Sequence, residues 1–284
     1  MAPIVCGIDF SEPSQRALRT AARLAAARKA ELSVMHVRHA PPIGYDRSRF
    51  SRAVALENAK NVLAGAAISA ERLGAAVTTR LVEGVPWAAL SVEAKERGAE
   101  LVVVATHGLS GESRFALGSV AEGVIRHAPC SVLVIRGEPH HFDRILCAVD
   151  FSPCARQALD ASPEVGASSI TLFHVVEPWL WSFGAPDADA ATDLAASADR
   201  MLDGWRRELA AQTAARVRTC VRIGRAAPVV LTELEEDGEY DLAIVGTHGR
   251  TGIRRLALGS IAENIARHAP CSVLVARNAA ALTA

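Results

Sequence analysis

The sequence is short of the features that mark secreted, membrane-bound or metal-dependent proteins. Its six cysteines, at positions 6, 130, 147, 154, 220 and 271, include no C-x-x-C pair. That spacing removes the usual zinc and redox signatures and argues against a disulfide framework. Cys6 and Cys147 fall inside apolar, strand-like runs and read as small buried hydrophobes. The opening Met1-Ala2-Pro3-Ile4-Val5-Cys6-Gly7 lacks the basic region, apolar run and cleavage site of a signal peptide. No apolar stretch reaches membrane-spanning length, so a cytoplasmic protein that does not engage membranes is expected. Excess charge is also lacking: 31 Lys and Arg balance 31 Asp and Glu. Such a chain offers no electrostatic footprint for nucleic acid. There is no G-x-x-x-x-G-K-[ST], and the second half has no lysine at all, which excludes a Walker-type lysine on phosphate. A G-x-S-x-G nucleophile elbow is missing too, which disfavours a hydrolytic reading of Asp150, His248 and Ser260.

What the sequence does have is a repeat. Gly118–Arg136 (GSVAEGVIRHAPCSVLVIR) returns as Gly259–Arg277 (GSIAENIARHAPCSVLVAR), with 14 of 19 positions identical, and Ile4–Leu18 returns as Ile145–Leu159 at the same offset of 141. A chain of 284 residues fits two domains of roughly 150 residues. The boundary is placed in the polar stretch Gly137-Glu138-Pro139-His140-His141, giving domains 1–138 and 139–284. His140 and His141 are adjacent, a spacing that favours a surface role over zinc. The linker is short, so the domains are expected to pack as a pseudo-twofold pair.

Within each copy, short apolar runs rich in β-formers alternate with longer Ala-rich helical stretches, the pattern of βαβ units on a parallel sheet. Strands are expected at 3–8, 31–37, 76–82, 100–105 and 131–135, and again at 143–149, 168–175, 216–222, 241–246 and 272–276. Runs such as Leu101-Val102-Val103-Val104 suit strands covered on both faces. The fold class is α/β, two tandem open parallel five-stranded sheets with flanking helices, Rossmann-like. Ser11 and Ser152 follow the first strand of each copy and read as helix N-caps, Ser152 with Pro153 at the first helical position. Ligands of such sheets bind outside the C-terminal strand ends, where strand order reverses.

The fourth strand of the second copy runs into Gly246-Thr-His-Gly249-Arg-Thr-Gly-Ile-Arg-Arg-Leu-Ala-Leu-Gly259-Ser260, a G-x2-G-x9-G-S pattern opening a helix. Glycines there let main-chain N–H groups approach an anion, and the following helix N-terminus adds unpaired donors and a favourable dipole. A structural alternative stays open: Ser119-Val-Ala-Glu122 and Ser260-Ile-Ala-Glu263 are both S-x-x-E capping boxes, and glycines also serve tight turns. His127 and His268, each before Ala-Pro-Cys, suit helix C-termini. His107 and His248 lie in the glycine loops, where loop ordering is favoured over a general-base role beside a phosphate. Trp179, Trp181 and Phe183 either cover a ligand or fill an interface, the second being favoured.

The glycine pattern resembles the ATP-binding motif of the universal stress protein family, and the likeness covers nearly the whole chain. The resemblance matches the family's strand-one aspartate to Asp9 and Asp150 and its strand-two valine to Val37 and Val175. It implies that the carboxylate contacts ribose and the valine backbone reads adenine. In the second copy it implies a nucleotide site of Ala148, Val149, Asp150, Val175, Val245, Gly246, His248, Gly249, Arg250, Gly259, Ser260 and Ile261; in the first, of Asp9, Val37, Gly108, Gly118 and Ser119. The first copy departs at Ala105, where the motif has glycine, and its methyl is expected to obstruct a nucleotide. It also has Leu109, Ser113 and Arg114 where the second has Arg250, Arg254 and Arg255. The second copy is therefore the expected site.

Three functions follow. The first is an ATP-binding stress or signalling protein, with or without Mg, that acts through conformation rather than turnover. The second is a nucleotide-independent scaffold whose domains pair through their fifth strands, Ser131–Ile135 and Ser272–Ala276, with a homodimer of chains as a further assembly. The third is a slow ATP hydrolase, for which no base is identified.

Overall fold

The computed structural model describes residues 1–38, 49–107, 117–137, 142–162, 166–177, 188–237, 240–247 and 259–277. They form two compact units, Met1–Glu138 and Pro139–Asn278.

Unit 1 runs β1(Ile4–Ile8), α1(Glu12–Arg28), β2(Glu31–Arg38), α2(Arg49–Glu71), β3(Ala76–Glu83), α3(Pro86–Arg97), β4(Leu101–Ala105), α4(Ser119–His127) and β5(Ser131–Ile135). Its strands lie in the order β3-β2-β1-β4-β5, all parallel. Unit 2 repeats this with β6(Arg144–Ala148), α5(Pro153–Ala161), β7(Ser169–Val176), α6(Ala188–Ala210), β8(Arg216–Ile223), α7(Ala226–Asp237), β9(Leu242–Gly246), α8(Ser260–His268) and β10(Ser272–Ala276). The order is β8-β7-β6-β9-β10, again all parallel. The architecture is the expected α/β one, and each of the ten strands lies within one residue of its expected bounds.

The core explains the pattern. Ile4, Val5 and Cys6 of β1 and Ile145, Leu146 and Cys147 of β6 are fully buried, as central parallel strands between helices must be. The outer strands β3 and β8 hold only half-buried and exposed residues. Burial pushes the Cys6 and Cys147 thiols up to about 12, leaving them protonated packing groups.

The caps of the first helices are as read. Ser11 accepts from the Ser14 amide at 3.3 Å and Ser152 from the Ala155 amide at 3.1 Å, with Pro153 opening α5. Lys29, in the left-handed region, closes α1 with its amide shared by the carbonyls of Ala25 and Ala26. His127 ends α4 and returns its Nδ1 to the Gly123 carbonyl one turn back at 2.9 Å. His268 ends α8 in the same position.

The S-x-x-E reading needs correction. Gly118 and Gly259, not the serines, occupy the N-cap positions, and neither helix has a side-chain cap bond. Ser119 and Ser260 are the first helical residues. The reason is that the Gly118 amide donates to the Thr106 carbonyl at 2.7 Å and Gly259 to that of Thr247 at 2.8 Å. A Cβ on Gly118 would lie 2.9 Å from the Thr106 oxygen, so the cap position excludes any side chain. Glu122 and Glu263 instead pair with Arg126 and Arg267 one turn on.

Candidate functional site

In unit 2, β6 leads to β7 and β8 on one side, and the chain then crosses to β9 and β10 on the other. Strand order therefore reverses between β6 and β9, where an open α/β sheet holds its ligand. A pocket of about 200 Å³ lies there, lined by Ala148–Asp150, Phe173 and Val175, Val245–Thr247, Gly259–Ala262, Ala155, and Ala226 and Val230 of α7.

Nine residues singled out from the sequence meet at this pocket: Ala148, Val149, Asp150, Val175, Val245, Gly246, Gly259, Ser260 and Ile261. His248, Gly249 and Arg250 lie outside the described residues, as do Gly108, Arg254, Arg255, Trp179, Trp181 and Phe183. The wall formed by Ala155, Phe173, Ala226, Val230, Thr247 and Ala262 was not foreseen. Apolar lining carries no motif. Thr247 and Ala262 left a signal, because Thr106 and Ala121 stand at the matching places of the first copy.

Local chemistry builds the polar end. Gly259 caps α8 with extended backbone, at φ −65° and ψ 142°. The first turn of an α-helix leaves its amides without intrahelical partners, so Ser260, Ile261 and Ala262 present main-chain donors at the pocket. The helix dipole adds positive potential at the same place. Opposite stands Asp150, whose Oδ1 accepts from the Ser152 amide at 3.0 Å. Val149 joins β7 through its amide, which donates to the Phe173 carbonyl at 2.9 Å. His174 Nδ1 donates to the Val149 carbonyl at 2.7 Å. Between Asp150 and Ser152, Phe151 sits at φ 62°, and Phe10 occupies the same place in unit 1 at φ 68°. A bulky residue in that region carries strain of roughly 1–3 kcal/mol, which the surroundings must offset.

Gly246 lines the pocket, yet its missing side chain serves the packing. A Cβ there would lie 2.9 Å from the main-chain carbon of Cys154, in the first turn of α5. The glycine thus allows α5 to approach β9. Ala105 stands at the matching position of unit 1, the last residue of β4.

Unit 1 arranges the same parts with different fillers. Asp9 Oδ1 accepts from the Ser11 amide at 3.0 Å and also from the Ser11 hydroxyl. Val37 is the penultimate residue of β2, as Val175 is of β7. Gly118 and Ser119 open α4. Over the floor, however, Leu90 of α3 is only 2% exposed, and its Cδ1 would stand 2.7 Å from a Cβ on Gly7. The matching pair in unit 2 is Val230 with Ala148, both lining the pocket. Trp87 packs onto Gly123 and stacks on His127 with ring centroids 4.4 Å apart. The matching positions in unit 2 are Ala227 and Asn264.

Among the described residues no three His, Cys, Asp or Glu side chains cluster in a way that could hold a metal ion. No helix among them is long and apolar enough to cross a membrane.

The pattern that describes the Universal stress protein family fits this chain twice, over residues 1–136 and 141–277. A universal stress protein of Mycolicibacterium smegmatis is 29% identical over 299 residues, spanning 96% of each chain. One from Mycobacterium tuberculosis is 29% identical over 303 residues with the same coverage. The crystal structure of a universal stress protein from Archaeoglobus fulgidus shares the fold at a TM-score of 0.68 and 22% identity, over 97% of this chain and 98% of that one. With two family matches on two units of like topology, the chain belongs to the universal stress protein family and carries two of its domains in tandem.

Proposed function

We propose that this protein binds ATP in the pocket of unit 2 and signals its occupancy through conformation rather than by turnover, as part of a cytoplasmic stress response. The observation that carries this reading is the meeting, at the reversal of strand order, of a carboxylate on one strand end and an uncapped helix N-terminus across from it. The pocket's apolar wall of Val149, Phe173, Val175 and Val230 suits a purine, and the backbone at Val175 reads its edge. Asp150 takes the ribose hydroxyls. The phosphates lie at Gly259–Ala262, where orphan amides and the helix dipole favour anions. At about 200 Å³ the pocket is smaller than the roughly 300–1,000 Å³ of typical ligand clefts, which fits a site enclosing base and sugar and leaving the phosphates at its mouth. Unit 2 has no lysine, so neutralisation falls to main-chain donors and to Arg250, Arg254 and Arg255 of the connecting segment. Mg would travel with the nucleotide, as the described residues offer no carboxylate cluster for it. Unit 1 is the weaker site, because Leu90 rather than a valine stands over its floor.

Isothermal titration of the whole chain with ATP tests this. Saturable binding is expected from the wild type and none from the Gly259→Ala/Ser260→Ala double variant. Equal affinity in both would refute the assignment.

A further inference from the structure

Asp150 reaches the pocket from a turn whose central residue is strained, and something must hold it. Phe151 adopts φ 62°, a conformation a free Phe-containing turn leaves readily. Its ring is gripped from two sides. His174 of β7 lies tilted against it, ring centroids 4.6 Å apart. Trp205 of α6 meets it edge-on at 5.4 Å. Each contact is itself anchored. His174 is buried, and its Nδ1 is tied to the carbonyl of Val149, two residues before the strained position. Trp205 carries the guanidinium of Arg156 over its ring at 5.8 Å, and Arg156 pairs with Asp160 and Glu208.

The repeat supplies an internal comparison. Unit 1 keeps the left-handed Phe10 and its histidine, with Phe10 and His36 centroids 4.3 Å apart and His36 Nδ1 bound to the Ile8 carbonyl at 2.8 Å. It does not keep the tryptophan: α2 and α6 are both 23 residues long, and the place of Trp205 is taken by Ala66. The second grip belongs to the unit that holds the pocket described above.

We infer that Phe151, clamped between His174 and Trp205, is the positioning residue that holds the Asp150 carboxylate in ligand-binding geometry, and that Trp205 couples α6 to the occupied pocket. The clamp is a feature of the fold; its effect on ligand rests on the nucleotide reading above. Phe151 and Trp205 are absent from the pocket lining and act through Asp150. Unlike a rigid core contact, the grip works on a single turn, the one fastened by the 3.0 Å bond from the Ser152 amide to Asp150 Oδ1.

Two measurements on the full chain test it. The first needs no ligand: hydrogen exchange at the Ser152 amide in Phe151→Gly and Trp205→Ala. Glycine accepts the positive φ without strain, so the turn stays permitted but is no longer enforced. Both variants should raise exchange about tenfold by making local opening easier. Unchanged exchange in both overturns the clamp. The second is a double-mutant cycle on ATP affinity. Phe151→Gly should weaken binding about tenfold in the wild-type background and have no effect when Asp150→Asn is already present. An equal loss in both backgrounds marks mere packing and overturns the positioning role. Should Phe151→Gly fail to fold, Trp205→Ala supplies both arms, since it touches the ring and not the turn. A wild type that fails to bind ATP refutes the nucleotide reading, while the exchange experiment still decides the clamp.

Discussion

The amide of Gly259 donates to the carbonyl of Thr247 at 2.8 Å, as Gly118 does to Thr106 at 2.7 Å, and this bond brings the start of each fourth helix back to the end of its strand. At Gly118 a glycine is required because the main chains approach so closely, and in both units the approach brings the helix start to the mouth of the sheet.

Gly118→Ala should therefore destabilise unit 1 although φ there is an ordinary −66°. The added carbon meets a main-chain oxygen at 2.9 Å, and a strand end cannot swing aside as a flexible side chain would. A loss of about 1–3 kcal/mol is expected from overpacking of this kind, read by urea denaturation. A loss below about 0.3 kcal/mol, within the scatter of independent surface changes, would show that the helix start yields.

Glu93 gives a second, independent test. Its side chain is 3% exposed and accepts from Ser33 Oγ at 3.0 Å, with Arg80 Nε at 3.3 Å and Arg97 Nε also paired to it. Glu93→Ala takes the partner from Arg80 and from a buried hydroxyl, and leaves Arg97 with Glu31. Because both arginines reach solvent, a cost of about 2–3 kcal/mol is expected, below that of breaking a fully buried pair. Glu93→Gln, which keeps the bond from Ser33, should cost less than the alanine change.

Acid should weaken unit 1 through Glu31. The hydroxyl of Thr78, and then Arg97, hold its carboxyl below the ordinary 4.5. A carboxyl lowered in the folded state contributes stability above its unfolded value and loses it as pH falls through the folded one. The stability gap between wild type and Glu31→Gln should be constant above about pH 4.5 and shrink below it. A gap that widens on acidification would contradict the pairing.

The cysteines separate by burial. Cys6, Cys130, Cys147 and Cys271 are buried, while Cys154 and Cys220 are partly accessible. Brief alkylation of the native protein at neutral pH, read by peptide mass spectrometry, should label Cys154 and Cys220 first. Early labelling of Cys6 or Cys147, whose thiols burial raises to about 12, would show that the central strands open.

Sequence patterning captured the strands because central parallel strands must be apolar throughout, as in Leu101–Val104 and Leu242–Val245. The glycines and the acid at strand ends carry their chemistry in their identity, and the family resemblance resting on them supplied the other pocket residues among the nine. Three features escaped it. Ser260 looked like a cap because S-x-x-E is the usual box, but the approach of Gly259 to Thr247 is a tertiary contact that local pattern does not encode. Phe173, Ala226 and Val230 were invisible as pocket wall, because an apolar residue reads the same facing a core or a ligand. Phe151 was passed over since nothing in Asp-Phe-Ser announces a positive φ; the rings that enforce it come from β7 and α6.

The central claim is that main-chain amides at the start of α8 and the carboxylate at the end of β6 hold one nucleotide in unit 2. Hydrogen exchange of the whole chain with and without ATP tests it directly. Protection gathered at Ser260–Ala262 and around Asp150, with the matching Ser119–Ala121 and Asp9 segments of unit 1 little changed, is the predicted result. Protection confined to unit 1, or no change in either unit at saturating ATP, would contradict the account.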